Sequence, residues 1–130
     1  MRPEDYHAVA AAYWLGFPED SAERMAIALL VWHAAGEGNA KPWGWLHSEL
    51  AGRGLSLTKN QFQNLVVGPS RVKGGLFICS CRRGYYIATC DADYEPMLDF
   101  YRGRIAQESA RLLVLEQRLT AAGTCGILLP

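Results

Sequence analysis

Residues 78–90 read ICSCRRGYYIATC, two short β-prone runs separated by Arg82, Arg83 and Gly84. Aromatic and β-branched residues favour strands, and a glycine beside two polar residues favours a tight turn between them. Gly84 permits the positive φ that such a turn requires. The stretch therefore predicts a β-hairpin with two arginines at its tip. These arginines are either solvated turn residues or groups that contact a polyanion.

The charge of the chain is unevenly distributed, although its 13 basic and 13 acidic residues balance. Residues 1–50 contain three basic and seven acidic residues, and residues 91–130 contain four basic and six acidic ones. Residues 51–90 contain no Asp or Glu, and their basic residues are Arg53, Lys59, Arg71, Lys73, Arg82 and Arg83. An acid-free basic block favours binding to nucleic acid. The alternative is an ordinary solvated surface, because these charges need not share one face.

Helical patterns occupy the sequence before the basic block. Apolar spacing, together with proline, glycine and acidic residues at the ends, predicts helices over about 3–16, 20–36 and 42–52. We expect the tryptophans in the core or at its edge, with one of the last two available to a protein partner: Trp14, Trp32, Trp43 and Trp45.

A fourth helix is predicted over 58–67, with Thr58 as its N-cap. Its apolar side would bury Phe62, Leu65 and Val66. Gly68-Pro69 is expected to end it, because proline cannot continue a regular helix. Its other side carries amides and a lysine but no acid: Lys59, Asn60, Gln61, Gln63 and Asn64. Such groups hydrogen-bond to base edges and phosphates, whereas the alternative is an amphipathic helix with a merely polar exterior.

A long helix is predicted from about Asp93 to Ala122. Its seam residues alternate at spacings of three and four, as in the a and d positions of a coiled coil. They are Leu98, Tyr101, Ile105, Glu108, Leu112, Leu115, Leu119 and Ala122. The candidate dimerisation residues are Ile105, Leu112, Leu115 and Leu119. In a parallel homodimer Arg111 at a g position would face Glu116 at an e position of the partner. The alternative, which is favoured near Leu98 and Tyr101, is packing on the core of the chain itself.

The order helix, helix, turn, helix, hairpin resembles a winged helix-turn-helix protein, and more narrowly the small winged-helix proteins of phages and prophages. The matching residues are Ile78-Cys79-Ser80-Cys81, Arg82-Arg83 and Gly84-Tyr85-Tyr86-Ile87-Ala88, followed by a long charged helix. The resemblance covers about residues 20–120 by order of elements, and the hairpin alone by motif. It departs from the family where Gly68-Pro69 interrupts the recognition helix and where the inter-helix turn runs on to a new cap at Thr58.

The resemblance implies an α+β fold, mostly α, with a winged helix-turn-helix core, a two-stranded wing and a long C-terminal helix. We divide the chain into a winged-helix domain with N-terminal helices over 1–90, the long helix over 91–122, and a tail over 123–130. The long helix either belongs to the same domain or acts as a dimerisation arm.

The expected function is binding of duplex DNA, in regulation or replication, through the helix over 58–67 and the wing at Arg82 and Arg83. The candidate nucleic-acid-binding residues are the six cations of residues 51–90 and the amides of the helix. Tyr85 and Tyr86 alternate faces, so one ring would pack on the helix while the other borders the groove. The alternative function is docking on a host or phage protein, as in an anti-defence or host-takeover factor.

Other chemistry has weak support in the sequence. Cys79 and Cys81 share one face of a strand and Cys90 could approach them, but Cys-x-Cys without a second pair lacks the spacing of a zinc site. Thiol-gated binding remains a third hypothesis. No nucleophile with its base, no phosphate-binding glycine loop and no paired carboxylates occur, so we expect no enzyme activity, metal or cofactor. No stretch reaches the ~18 apolar residues of a membrane span, and we expect a cytoplasmic protein.

Overall fold

The first two helices are α1 (Pro3–Trp14) and α2 (Ala22–His33). The computed structural model describes residues 3–72 and 76–124. The hydroxyl of Ser21 caps α2 by accepting a hydrogen bond from the Arg24 N–H, which satisfies one of the free donors of the first turn. Trp32 is 79 % exposed, so its expected place at the core is wrong. The side of α2 that carries Ile27 and Leu30 is the buried one.

A short 3-10 turn (Glu37–Asn39) connects α2 to α3 (Trp43–Ala51). The next residues form one helical segment, 59–70, in three parts: α4 (Lys59–Phe62), a π-helix (Gln63–Val67) and α5 (Gly68–Ser70). The prediction that Gly68-Pro69 ends this helix is therefore wrong. Pro69 is the second residue of α5, and the helix continues for one residue beyond it.

The π-helix also changes which residues of the segment are buried. The Gly68 N–H bonds to the carbonyl of Gln63, five residues back, so this hydrogen bond spans one residue more than the bond of an α-helix. Phe62 and Val66 are buried as predicted, but Val67 takes the place expected for Leu65, which is 48 % exposed. An α-helical period therefore assigns Leu65 to the wrong side.

An antiparallel hairpin follows, with β1 (Ile78–Cys81) paired to β2 (Gly84–Ile87). β2 also bonds on its other side to the segment between α2 and α3. The backbone of Tyr85 exchanges two 2.8 Å hydrogen bonds with Lys41, and that of Ile87 bonds to Ala34 and Gly36. β2 therefore lies between β1 and this segment.

The helix α6 runs over Asp91–Thr124, which is two residues further at each end than the sequence predicts. The fold is thus α+β and mostly helical, with a two-stranded antiparallel sheet and a long C-terminal helix. The chain divides at Pro96 into two units, Met1–Pro96 and Met97–Pro130. Of the predicted tail over 123–130, residues 125–130 lie outside the described residues.

One apolar cluster holds the first unit together. It is formed by buried side chains from the helices and from both strands, among them Ile27, Leu30, Leu46, Phe62 and Ile87. Burial of large aliphatic or aromatic side chains contributes about 1.5–3 kcal/mol each relative to exposure. In the part of the chain that the structure describes, none of the helices combines the length and apolar character needed to cross a membrane.

Candidate nucleic-acid interface

Thr58 fixes the start of the helical segment 59–70. Its hydroxyl accepts a hydrogen bond from the Gln61 N–H at 3.1 Å, and the Gln61 side-chain oxygen accepts one from the Thr58 N–H at 3.0 Å. This reciprocal pair is a capping box, and it satisfies two backbone donors that a helix start leaves free. The cap predicted at Thr58 is confirmed. It directs Lys59 and Asn60 into the first turn, where both are exposed.

The five polar residues predicted on the outer side of this segment are all exposed, but they differ in what they bond. Gln61 completes the capping box, and the Gln63 amide donates to the Tyr85 hydroxyl at 2.9 Å. Among the described residues, Lys59, Asn60 and Asn64 have no hydrogen-bond or ion-pair partner. These three side chains can therefore bond to a ligand without giving up an internal contact.

The hairpin is fixed against this segment by Tyr85. Its ring packs edge-to-face on Phe62, with centroids 4.9 Å apart, and Phe62 stacks in turn on Trp43 at 5.2 Å. Tyr85 is buried, and its hydroxyl holds Gln63. The helical segment and the hairpin are therefore packed on each other, so the position of each depends on the other.

Two residues at the end of the helical segment bind the start of β1. The buried Ser70 hydroxyl donates to the Val67 carbonyl at 2.6 Å and accepts from the Ile78 N–H at 3.2 Å. Arg71 donates through Nε to the Ile78 carbonyl at 2.8 Å, and its guanidinium lies over the Phe77 ring. Arg71 thus has a structural task, in addition to any contact with a ligand.

The prediction that one of the two tyrosines borders a groove is wrong, because Tyr85 packs on the helical segment and the side chain of Tyr86 is completely buried. The hydroxyl donates to the carbonyl of Asp93 at 2.8 Å, and burial raises its pKa. Tyr86 therefore belongs to the base of the hairpin and does not border a groove.

Asp93 organises that base. Its carboxylate is buried and accepts the Glu37 N–H at 3.1 Å, the Thr89 N–H at 2.9 Å and the Thr89 hydroxyl at 3.0 Å. Burial alone would raise the pKa of Asp93, but these donors hold it below the usual 3.8. The carboxylate joins the first turn of α6 to the 3-10 turn and to the residues after β2.

The predicted cations have different environments. Arg82 is exposed at the hairpin tip and has no hydrogen-bond or ion-pair partner in the described part of the chain. Arg83, also exposed, donates to the Glu37 carbonyl at 3.0 Å. Arg53 forms an ion pair with Glu49 at 2.8 Å, so its charge is offset locally. Lys73 lies outside the described residues.

Lys41 is a cation that sequence reasoning missed. It was counted with the acidic first part of the chain, but its backbone pairs with Tyr85 of β2. Its ammonium group lies 5.6 Å from the centre of the Trp45 ring, within cation–π range. The signal in the sequence was the short run Ala40-Lys41-Pro42, whose pairing with a hairpin 44 residues later depends on the tertiary fold.

The thiols do not form a metal cluster within residues 3–72 and 76–124, where no group of three or more His, Cys, Asp or Glu could hold an ion. Cys79 is buried, and burial raises the pKa of its thiol to about 11. Cys81 is half-buried and Cys90 is exposed. At neutral pH Cys79 therefore packs as a small apolar side chain. Cys125 lies outside the described residues.

Comparisons with protein-family models, with curated proteins and with solved structures give no match to this chain.

Proposed function

We propose that residues 22–87 form a winged helix-turn-helix module that binds duplex DNA without catalysing a reaction. The helical segment 59–70 is the recognition helix, and the hairpin of β1 and β2 is the wing. The order of α2, α3, the helical segment and the hairpin supports this assignment. The pairing of β2 with Lys41 supports it too, because this places a third extended segment beside the hairpin.

The observation that carries the proposal is the contact of Tyr85 with Phe62 and Gln63. It packs the helical segment, which has an exposed and acid-free face, against the hairpin, which has an exposed arginine tip. Lys59 and Arg82 supply charge to phosphates, and Asn60 and Asn64 supply the amide groups that pair with adenine edges in the major groove. Arg83, oriented by the Glu37 carbonyl, contributes a second cation at the tip.

The experiment is a fluorescence-anisotropy titration of a labelled duplex of about 25 base pairs at low salt, a length that exceeds one module's footprint. The double variant Lys59→Glu/Arg82→Glu removes two free cations and is expected to weaken binding at least tenfold. Arg53→Glu is the control, because the Arg53 charge is already offset by Glu49. Equal affinity of the wild type and the double variant, or tighter binding to a single strand, would overturn the proposal.

A second candidate function is docking on a host or phage protein. It is favoured by two exposed apolar side chains in or next to the helical segment, Leu65 at 48 % and Val72 at 83 % exposure. A partner captured from host lysate by the wild type and by Arg82→Glu, but lost in Leu65→Glu, would support this function. Loss of the partner in Arg82→Glu alone would point back to the charged tip.

A further inference from the structure

The second unit of the chain exposes an unusual amount of apolar surface. Eight large hydrophobic side chains of α6 beyond Pro96 are between 43 and 64 % exposed: Leu98, Phe100, Ile105, Leu112, Leu113, Val114, Leu115 and Leu119. Single exposed apolar residues need no explanation, but a continuous series along one helix marks an interaction surface. Five of the eight, Leu98, Ile105, Leu112, Leu115 and Leu119, lie on one side of the helix, and we expect that side to be covered in the functional protein.

The spacing of these residues selects a helical occupant. Leu98, Ile105, Leu112 and Leu119 repeat every seven residues and define a positions, and Tyr101, Glu108 and Leu115 fall at d. All of these residues lie within the continuous helix α6. We propose that residues 98–119 pair with the same residues of a second copy of the chain, as a parallel two-stranded coiled coil.

The flanking charges set the direction of the second copy. The g positions are Arg104, Arg111 and Arg118, three cations and no acid. In an antiparallel pair g positions face g positions, so these arginines would oppose one another. In a parallel pair g faces e of the following heptad, which brings Arg111 to Glu116 of the second copy. Charge complementarity therefore favours the parallel arrangement.

Glu108 makes one layer of the seam weak. In the single chain it pairs with Arg111 at 2.7 Å, and both side chains are exposed. In the dimer the two copies of Glu108 would face each other at d, which opposes association. Because a guanidinium has five donors, Arg111 can keep Glu108 and still reach Glu116 of the second copy. The dimer is therefore expected to dissociate on dilution.

Leu113 and Val114 provide an internal control, because they occupy b and c positions outside the seam. A second copy bound through a and d leaves both uncovered. A different protein, or the chain's own core, could cover any side of the helix. Substitution of Leu115 should therefore weaken a coiled coil, whereas substitution of Leu113 should not. Less specific apolar contact would be weakened by both.

The test is sedimentation equilibrium of the full chain over a hundredfold range of concentration. The wild type is expected to approach twice 14.4 kDa at the top of the range, and Leu115→Glu to remain at 14.4 kDa. Leu113→Glu is expected to dimerise like the wild type. Glu108→Leu is expected to lower the protein concentration at which half of the chains are dimeric by at least tenfold. A wild type that stays monomeric, or equal effects of Leu113→Glu and Leu115→Glu, would overturn the proposal.

The direction of the two helices is tested by a charge exchange. Arg111→Glu should weaken the dimer several-fold, and the double variant Arg111→Glu/Glu116→Arg should restore part of this loss, which requires the parallel register. Restoration is incomplete because Glu108 loses its partner Arg111. Failure of restoration would exclude the parallel pair. The dimer and the DNA contact depend on different residues, so failure of one proposal leaves the other standing.

Discussion

The two ends of the β1–β2 hairpin differ in how their polar groups are satisfied. At the base, the Tyr86 hydroxyl and the Asp93 carboxylate are buried and fully engaged by groups of the chain itself. At the tip, Arg82 and Arg83 are exposed, and only Arg83 donates to a described residue. One short hairpin therefore has two roles, because its base stabilises the fold while its tip presents charge. Substitutions at the base should then change stability, and substitutions at the tip should change binding.

The largest expected effect is at the base. Asp93→Ala leaves the half-buried N–H groups of Glu37 and Thr89 without their acceptor, and each lost partner costs about 1–3 kcal/mol. We expect the free energy of unfolding to fall by about 3 kcal/mol in a urea titration. The matched control is Asp91→Ala, an exposed acid in the same helix turn, which should change it by less than about 1 kcal/mol. Similar losses of unfolding free energy in both variants would contradict the claim that Asp93 stabilises the base of the hairpin.

Gly84 lies near the tip of the hairpin, but its role is to stabilise the fold and not to bind a ligand. Its φ is +125°, and an added Cβ would lie 2.1 Å from the Lys41 carbonyl oxygen, so a side chain would force β2 away from this segment. Gly84→Ala should destabilise the protein by about 2 kcal/mol or more, as judged by thermal unfolding. Gly44→Ala in α3, where the added Cβ meets nothing within 4 Å, should be neutral or stabilising. Unchanged thermal stability in Gly84→Ala would contradict the close approach of the Gly84 backbone to Lys41.

A smaller effect is expected at the joint between the hairpin and the helical segment. Gln63→Ala removes the hydrogen bond to the Tyr85 hydroxyl and should lower stability by about 1 kcal/mol. Because this bond orients the hairpin, affinity for duplex DNA should also fall by a few-fold, whereas Gln61→Ala should affect the cap alone. Unchanged affinity in Gln63→Ala would mean that the joint does not position the tip.

The pH dependence of stability gives the smallest expected effect. The pKa of Asp93 is lower in the folded protein than its usual 3.8, so the unfolded chain binds the proton more tightly. Its contribution is therefore complete above about pH 5 and is lost as pH falls through the folded value. Urea unfolding between pH 2.5 and 6 should show a steeper loss for the wild type than for Asp93→Asn. Identical slopes would show that Asp93 does not carry the acid sensitivity.

Local patterns were sufficient to predict the hairpin, the cap at Thr58 and the polar exterior of the segment after it. Each of these depends on residues within a few positions of one another. The π-helix at Gln63–Val67 was not predictable in this way, since it accompanies a contact between Gln63 and Tyr85, 22 residues later. Leu65 was predicted to be buried because no pattern in the sequence indicated this π-helix.

The hydrogen bonds at the base of the hairpin were not predicted either, because they also join residues that are distant in sequence. The partner of the Asp93 carboxylate is a backbone N–H at Glu37, 56 residues away, and no spacing rule connects the two. One of Tyr85 and Tyr86 was expected at a groove because strand alternation says which residues share a face but not which face is buried. The sequence alone shows that residues 51–90 are basic and contain no acid. The roles of Arg53 and Arg71 within this block depend on neighbours that only the fold supplies.

The most direct measurement is the salt dependence of duplex binding by the wild type, Arg82→Gln and Arg53→Gln. If the Arg82 guanidinium contacts a phosphate, its neutralisation should reduce the slope of log affinity against log salt by about 0.9. Arg53→Gln makes the same charge change and should leave the slope unaltered, because Glu49 already pairs with Arg53. Equal slopes for the wild type and Arg82→Gln would contradict the claim that the hairpin tip contacts DNA.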